Sequence, residues 1–521
     1  MYETPSTQRD KVSHTLTQRS CDMVHSKPEV FPVANTGSPK FVPQMDQQQQ
    51  PEKLGSSGPG RKGSLTLDVL ESNNYHRMET HVGQSPAQLY LTESGRLFHA
   101  GKIAIVFVGL PARGKTHLAV SLARYLNWLG VNTRTFHLGD YRRAFVADKD
   151  LPEDYWILDA SEPTKELRAK ILENCRDDLI RWYDEEKGQV AIYDAVNPIA
   201  SKRRELKDMF ARHDIQTLYI ESFCDDPKII EANVHSVKIS SPDYVGWDPR
   251  EAVKDYLRRI DAKIPHFESI EDRDLDYVKV INVGEKIIVN NARFGYLSSR
   301  IVFYLTNLHI KRRVFYLARA GNSIDEGSYR LDSELDDEGR SYAESLTRTV
   351  LKRRESELKQ RREKGDMSPE NSLIVWTSTR ARTVQTASGF KEAGFTVRER
   401  PQLSQRNPGV CEGKSAEEIR KMYPDICAAL DQDPYHTRFP RAESYHDVAL
   451  RTSDVLLEME RQRGDLLIIA HESVLRCLYA YFRGTPADEI PFLSFRRNEL
   501  VEVLPGSYNC AEVRITIEGW K

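Results

Sequence analysis

A chain of 521 residues has room for about three average domains or two large ones. Its 75 Lys and Arg nearly balance 77 Asp and Glu, leaving a net charge of −2, which argues against a general nucleic-acid binder or a polybasic membrane-surface protein. No stretch reaches the ~20 apolar residues of a membrane span, and the first residues lack the apolar core of a secretory signal. The seven Cys are scattered and odd in number, with no C-x-x-C pair, so neither a disulfide framework nor a zinc site is expected. Reduced thiols in a cytoplasmic protein are the expectation.

Residues 1–95 are rich in Ser, Thr, Gln and Pro, hold the run Gln47 to Gln50 and sustain no apolar period, which predicts a disordered regulatory tail. Within it, Arg61-Lys62-Gly63-Ser64 sets two bases before a Ser, a pattern suited to a basophilic protein kinase, so Ser64 is a candidate phosphosite. Order is expected from about Lys102. The β-branched run 103–108 reads as a strand buried on both faces, followed by a glycine loop and a helix over 116–129. Strands at 190–193, 217–220 and 278–283 alternate with helices at 164–183 and 249–262, which predicts a mostly parallel sheet covered on both faces. After a connecting helix and turn at 292–313, a second α/β series begins, with strands at 314–317, 373–376, 466–469 and 500–503 and a solvated helix face at 352–364. The expected organisation is a tail (1–95), a first α/β domain (96–310) and a second (311–521).

Gly109-Leu110-Pro111-Ala112-Arg113-Gly114-Lys115-Thr116 satisfies G-x-x-x-x-G-K-[ST] between a predicted strand and helix. Such a loop turns backbone N–H groups and a helix N-terminus onto phosphate oxygens. Lys115 would reach the β- and γ-phosphates of ATP, and the Thr116 hydroxyl would ligate Mg²⁺. Asp194 ends the apolar strand Val190-Ala-Ile-Tyr193, where a carboxylate would lie beside the loop to hold Mg²⁺ or accept a hydroxyl proton.

With these motifs, Arg124-Tyr-Leu-Asn-Trp128, Leu138-Gly-Asp-Tyr-Arg-Arg143, Glu221-Ser-Phe-Cys-Asp-Asp-Pro227 and Ser241-Pro-Asp-Tyr244 resemble 6-phosphofructo-2-kinase/fructose-2,6-bisphosphatase over about residues 102–310. The resemblance implies a P-loop kinase domain that transfers the ATP γ-phosphoryl group to O2 of fructose 6-phosphate, followed by a histidine-phosphatase domain of phosphoglycerate-mutase-like α/β fold. It also implies a homodimer. Catalysis would fall to Lys115 and Asp194, further nucleotide contacts to Asn233 and Lys238, and sugar-phosphate contacts to Arg142, Arg168, Lys202 and Arg259. Cys224 matches a family cysteine near the active site. The chain departs from the family at Val196, where a Thr is usual, at Lys202, where an Arg is usual, and at Lys263, where a Tyr is usual. Nucleotide chemistry is therefore better preserved than sugar recognition.

The second domain departs further. Arg319-Ala320-Gly321 stands where the family reads Arg-His-Gly, so the phosphoryl-accepting His is replaced by a methyl group. Gln405 stands at the general-acid Glu and has no carboxylic proton to give. Arg319, Arg382 and His471 remain, and Tyr445 is kept, whereas Ala416, Leu430 and Pro434 fall where the family binds the sugar 6-phosphate. The expectation is a fungal-type, kinase-only member with a degenerate phosphatase domain. The competing reading is a non-catalytic or altered-specificity nucleotide-binding relative that serves as a regulatory or interaction protein.

Overall fold

The computed structural model describes residues 85–87, 101–146, 151–157, 159–240, 242–244, 247–292, 295–309, 312–325, 330–363, 369–506 and 510–520. Ser64 and nearly all of the expected tail lie outside them. Pro86 and Ala87 do not fit a solvated tail, because both are buried. The Ala87 N–H donates to the Trp128 carbonyl at 3.0 Å, and the Tyr435 hydroxyl donates to the Pro86 carbonyl. A small residue and a proline leave room for the chain to lie against Trp128, which a run of charged side chains would not.

Two six-stranded sheets carry the architecture. The first comprises β1 (Lys102–Val108), β2 (Thr133–His137), β3 (Val190–Asp194), β4 (Ile215–Phe223), β5 (Tyr277–Ile281) and β6 (Lys286–Asn290), in the order β2-β3-β1-β4-β5-β6. Only β6 runs antiparallel. β1 and β3 are almost wholly apolar and buried on both faces because helices cover both sides. Those helices include α1 (Lys115–Trp128), α2 (Leu138–Phe145), α3 (Glu162–Glu185), α4 (Ala200–Ala211), α5 (Pro227–Ser240), α6 (Pro249–Asp261) and α7 (Tyr296–Asn307).

The second sheet holds β7 (Phe315–Arg319), β8 (Leu373–Thr377), β9 (Thr396–Glu399), β10 (Asp465–Ala470), β11 (Glu499–Pro505) and β12 (Cys510–Thr516). Its order is β12-β11-β7-β10-β8-β9, with β7, β10, β8 and β9 parallel, β11 antiparallel to β7 and β12 antiparallel to β11. α8 (Asp337–Glu363), α9 (Ala381–Thr386), α10 (Ser453–Arg461) and α11 (Glu472–Arg483) are among its helices. The charged end of α8 is not wholly solvated as expected. Arg353 pairs with Glu502 at 2.7 Å, and buried Arg354 pairs with Asp465 and Glu370, because β10, β11 and the segment before β8 offer carboxylates to that face.

The domains share packing around α1, which starts at the phosphate loop and ends with Trp128 inside the second domain's core. In return, Leu457 of α10 packs into the first domain's core. Between them lies a buried ionic cluster: Glu460 accepts from Arg124 at 2.7 Å, Arg313 at 2.8 Å and the Tyr481 hydroxyl at 2.7 Å. Burial would push the Glu460 carboxyl up, but Arg124 and Arg313 outweigh it and hold it below its usual value. Glu460→Ala is expected to destabilise the protein by about 3–5 kcal/mol, because two buried guanidinium groups lose their counter-charge. Urea unfolding measures this, and a loss under about 1 kcal/mol would mean that water reaches the cluster.

Candidate active site

β1 delivers the chain into the loop 109–116 at the carboxyl edge of the first sheet, the edge where open parallel sheets bind ligands. Gly109 has φ 141°, and a Cβ there would stand 2.5 Å from the Ser222 carbonyl oxygen. Gly114 has φ 84° and caps α1, so both loop glycines are required by backbone geometry. The loop tip is clamped from α5 and α6. Asn233 Nδ2 donates to the Ala112 carbonyl at 2.9 Å, and the Ala112 N–H donates to the Tyr256 hydroxyl at 3.0 Å. Lys115 is buried and folds back to donate to the Leu110 carbonyl at 2.7 Å. Its burial brings the ammonium down to about 8, with Asp194 opposing the shift.

Asp194, the last residue of β3, is buried and paired in register with His137 at the end of β2. The Thr116 hydroxyl donates to Asp194 Oδ2 at 2.8 Å, and His137 Nδ1 lies 2.9 Å from the same oxygen. Burial acts to raise this carboxyl, but His137, Lys115 and Thr116 together hold it below the usual carboxylate value, so it is ionised at neutral pH. Lys115, Thr116 and Asp194 are thus brought together as the spacing predicts. His137 is an addition that no motif signals, since its role comes from strand register alone.

The expected sugar-side arginines divide. Buried Arg142 donates to Asp243 at 2.5 Å, as does its neighbour Arg143, and Arg259 reaches the other Asp243 oxygen at 3.3 Å. Trp156 lies against this group, with Arg259 4.2 Å and Arg142 5.0 Å from its ring centroid. Arg168 does a different job. Its guanidinium donates to the carbonyls of Asp154 (2.9 Å), Tyr155 and Ile157 (2.5 Å), and so seats the segment carrying Trp156. Lys202 does not join the cluster. Its side chain is 66% exposed and pairs with Glu205 at 2.8 Å, because α4 turns Arg203, Leu206 and Phe210 inward instead. Cys224 is buried behind the loop, with its thiol pushed up by burial. The side chain of Lys238 lies outside the described residues.

The family model for 6-phosphofructo-2-kinase matches residues 91–312, and that for the histidine phosphatase superfamily (branch 1) matches 315–516. A Saccharomyces cerevisiae protein provisionally named 6-phosphofructo-2-kinase/fructose-2,6-bisphosphatase is 40% identical over 438 residues, covering 80% of this chain and 84% of that protein. Human 6-phosphofructo-2-kinase/fructose-2,6-bisphosphatase 4 is 38% identical over 415 residues, covering 78% and 83%. The chain belongs to the 6-phosphofructo-2-kinase/fructose-2,6-bisphosphatase family. A second yeast relative, named fructose-2,6-bisphosphatase, is 34% identical over 421 residues and is covered over 88% of its length.

In the histidine-phosphatase half of this family member, a cavity of about 350 Å³ opens at the carboxyl ends of β7, β8 and β10. Arg319, Ala320, Arg382, Gln405 and His471 all line it, so the residues grouped by the family resemblance do meet in one cavity. Ala320 is buried, and its N–H donates to the Ala470 carbonyl at 3.0 Å. His471 Nε2 lies 3.4 Å from the Ser378 hydroxyl. Burial, reinforced by Arg382, Arg380 and Arg319, drives its imidazole well below the usual value and leaves it neutral. The Gln405 carbonyl accepts from Arg382, while its amide donates to the carbonyls of Arg330 (2.9 Å) and Leu331 (3.2 Å). Arg406, Arg438, Arg476 and Arg497 also line the cavity. The family resemblance does not signal these, because it marks only positions the family uses and not the local supply of charge.

Proposed function

We propose that this chain is an ATP-dependent 6-phosphofructo-2-kinase that makes fructose 2,6-bisphosphate from fructose 6-phosphate, and that its second domain has lost bisphosphatase activity. The observation that carries the kinase reading is the Thr116–Asp194 hydrogen bond of 2.8 Å at the mouth of a phosphate loop, with Lys115 buried beside it. The donor set fits Mg²⁺: one ionised carboxylate and one hydroxyl beside a phosphate loop match an ion that takes most of its ligands from phosphate and water. Among the described residues no group of three or more His, Cys, Asp or Glu is arranged to hold a metal alone. Bound there by Thr116 and Asp194, Mg²⁺ would offset charge on the phosphate oxygens. Lys115 binds and orients the β/γ-phosphates, and the sugar O2 attacks the γ-phosphorus as the bond to ADP breaks. Asp194 is the carboxylate placed to take the hydroxyl proton, directly or through water.

The loss of phosphatase chemistry rests on Ala320 and Gln405, which remove the nucleophile and the proton donor from one cavity. The altered-specificity reading draws on Val196 and on Lys202, which points away from the cluster. A coupled assay of ATP and fructose 6-phosphate, with the product tested for acid lability, decides between the two. Turnover yielding an acid-labile product supports the kinase, and ADP formation only with another acceptor supports altered specificity. A homodimer, regulation of the tail by a protein kinase at Ser64 and a cytoplasmic location complete the proposal. Among the described residues, no helix is long and apolar enough to cross a membrane.

Val196 follows Asp194 closely, and its carbonyl accepts the Gly109 N–H at 3.1 Å, so its backbone is tied to the start of the loop. Val196→Thr is expected to lower the KM for fructose 6-phosphate about two- to tenfold, the value of one regained hydrogen bond of ~0.5–1.5 kcal/mol. An unchanged KM with high wild-type turnover would show the hydroxyl to be dispensable.

A further inference from the structure

His137 closes β2 and is also the residue from which α2 starts, with φ −91° and ψ 111°. A side chain at such a position commonly turns back to cap the free N–H groups of the helix, but that of His137 makes no capping bond. Its ring reaches sideways instead. β2 and β3 run parallel, and the pairing of His137 with Asp194 sets both side chains on one face of the sheet, with backbones about 4.8 Å apart. Nδ1 meets Asp194 Oδ2 at 2.9 Å, and against an ionised carboxylate that nitrogen is the donor. The Thr116 hydroxyl donates to the same oxygen at 2.8 Å. Among the described residues nothing donates to Oδ1. The carboxylate is thus held through one oxygen, from β2 on one side and from α1 on the other. Turning it would break two hydrogen bonds, so Oδ1 is the oxygen left to face the reaction.

The chain also makes room for the ring. A Cβ at Gly139 would stand 2.7 Å from His137 Nε2 and 3.1 Å from its Cδ2. Gly139 lies in the first turn of α2, where an alanine would favour the helix more, so clearance for the ring is what the glycine supplies.

We propose that His137 is a positioning residue of the kinase site, which fixes the Asp194 carboxylate so that Oδ1 is presented to the attacking hydroxyl, with Gly139 providing the space its ring needs. The proposal rests on the kinase reading for the hydroxyl but not for the orientation of the carboxylate. His137 acts only through Asp194.

The test compares the full-length wild type with His137→Phe, which keeps the bulk of the ring and loses the donor, and His137→Asn, whose amide nitrogen falls near the place of Nδ1. Phosphoryl transfer from ATP to fructose 6-phosphate is measured together with calorimetric ATP binding and thermal unfolding. His137→Phe is expected to lower kcat about ten- to hundredfold, the scale of a catalytic group misplaced by ~1 Å, while ATP affinity stays within about twofold. His137→Asn is expected to recover most of that loss. Gly139→Ala is expected to lower kcat without lowering the unfolding temperature, and to lower it less when residue 137 is Asn, because the contact with Nε2 is then gone. The milder contact of the new Cβ with Arg143 Nη1, at 3.3 Å, is common to both backgrounds. In the ligand-free protein, the downfield proton resonance of an imidazole N–H held by a carboxylate is expected in wild type and missing from both His137→Phe and Asp194→Asn.

Equal kcat in wild type and His137→Phe would overturn the proposal, as would an equal loss in His137→Phe and His137→Asn, since ring packing and not the donor would then matter. A resonance that survives in His137→Phe would overturn it as well. Loss of the resonance in both variants, in a protein that transfers nothing to fructose 6-phosphate, would overturn the kinase reading and uphold the fixed carboxylate. Transfer that is indifferent to His137 would do the reverse.

Discussion

Lys115→Ala and Asp194→Asn are each expected to lower phosphoryl transfer from ATP by at least about 10²–10³-fold, the loss seen when one preorganised charge-stabilising group is removed from an active site. Lys115 is held by its own loop at Leu110, so its ammonium is positioned before any phosphate arrives. Its removal deletes the point charge on the β/γ-phosphates, and no neighbour replaces it: Arg113 turns back to the Pro111 carbonyl at 3.2 Å. Asp194→Asn keeps shape and volume but gives up the negative charge that Thr116, His137 and Lys115 stabilise together. ADP formation with fructose 6-phosphate measures both variants, and nucleotide affinity separates them. Lys115→Ala should weaken ATP itself, whereas Asp194→Asn should lose turnover more than binding. Undiminished turnover in either variant would remove that residue from the reaction.

The strands legible in the sequence are the interior strands of the two sheets, and those that escaped share a physical reason. β2 (Thr133–His137), β6 (Lys286–Asn290), β9 (Thr396–Glu399) and β12 (Cys510–Thr516) are the four sheet edges. An edge strand has one hydrogen-bonded neighbour and a solvated flank, so Thr-Val-Arg-Glu at β9 needs no apolar run and offers no pattern to detect. Helices α3 and α6, found within about two residues of their expected ends, had the long apolar period that β9 lacks. The site divides in the same way. Gly109 to Thr116 is contiguous and readable, while His137, Tyr256 and Trp156 join it from separate elements through register and packing. Lys202 shows the opposite case: charge at a position the family uses says nothing of which way its helix turns it. The tail reading failed at Pro86 and Ala87 because composition averages over a long window and a two-residue anchor does not register in it.

Ala320→His alone is expected to yield little fructose-2,6-bisphosphatase activity, and Ala320→His with Gln405→Glu to exceed it by about 10²–10⁴-fold, the usual contribution of a positioned general acid. A histidine at 320 would follow β7 directly, on the same sheet edge as His471 after β10, with Arg319 and Arg382 at hand to stabilise a transferred phosphoryl group. What the single variant lacks is a proton for the leaving sugar oxygen. Gln405 cannot supply it, and its amide is occupied: it braces the carbonyls of Arg330 and Leu331 while its own carbonyl holds Arg382. A glutamate there would keep the bond to Arg382. Its second oxygen would then meet two carbonyl oxygens, an arrangement that favours the protonated acid because only that form can donate to them. The same brace that removed the acid would thus hold the restored one protonated, although Arg382 pulls the other way. Leu430 and Pro434 supply no charge, and of the other lining arginines Arg438 pairs with Asp447 and Arg476 with Glu472, each at 2.7 Å, so the two variants are compared at saturating substrate. Phosphate release from fructose 2,6-bisphosphate by the two variants is the measurement. Robust hydrolysis by Ala320→His alone would show that water or another residue protonates the leaving group. Inactivity of both would place the defect in the geometry of the cavity rather than in the two missing groups.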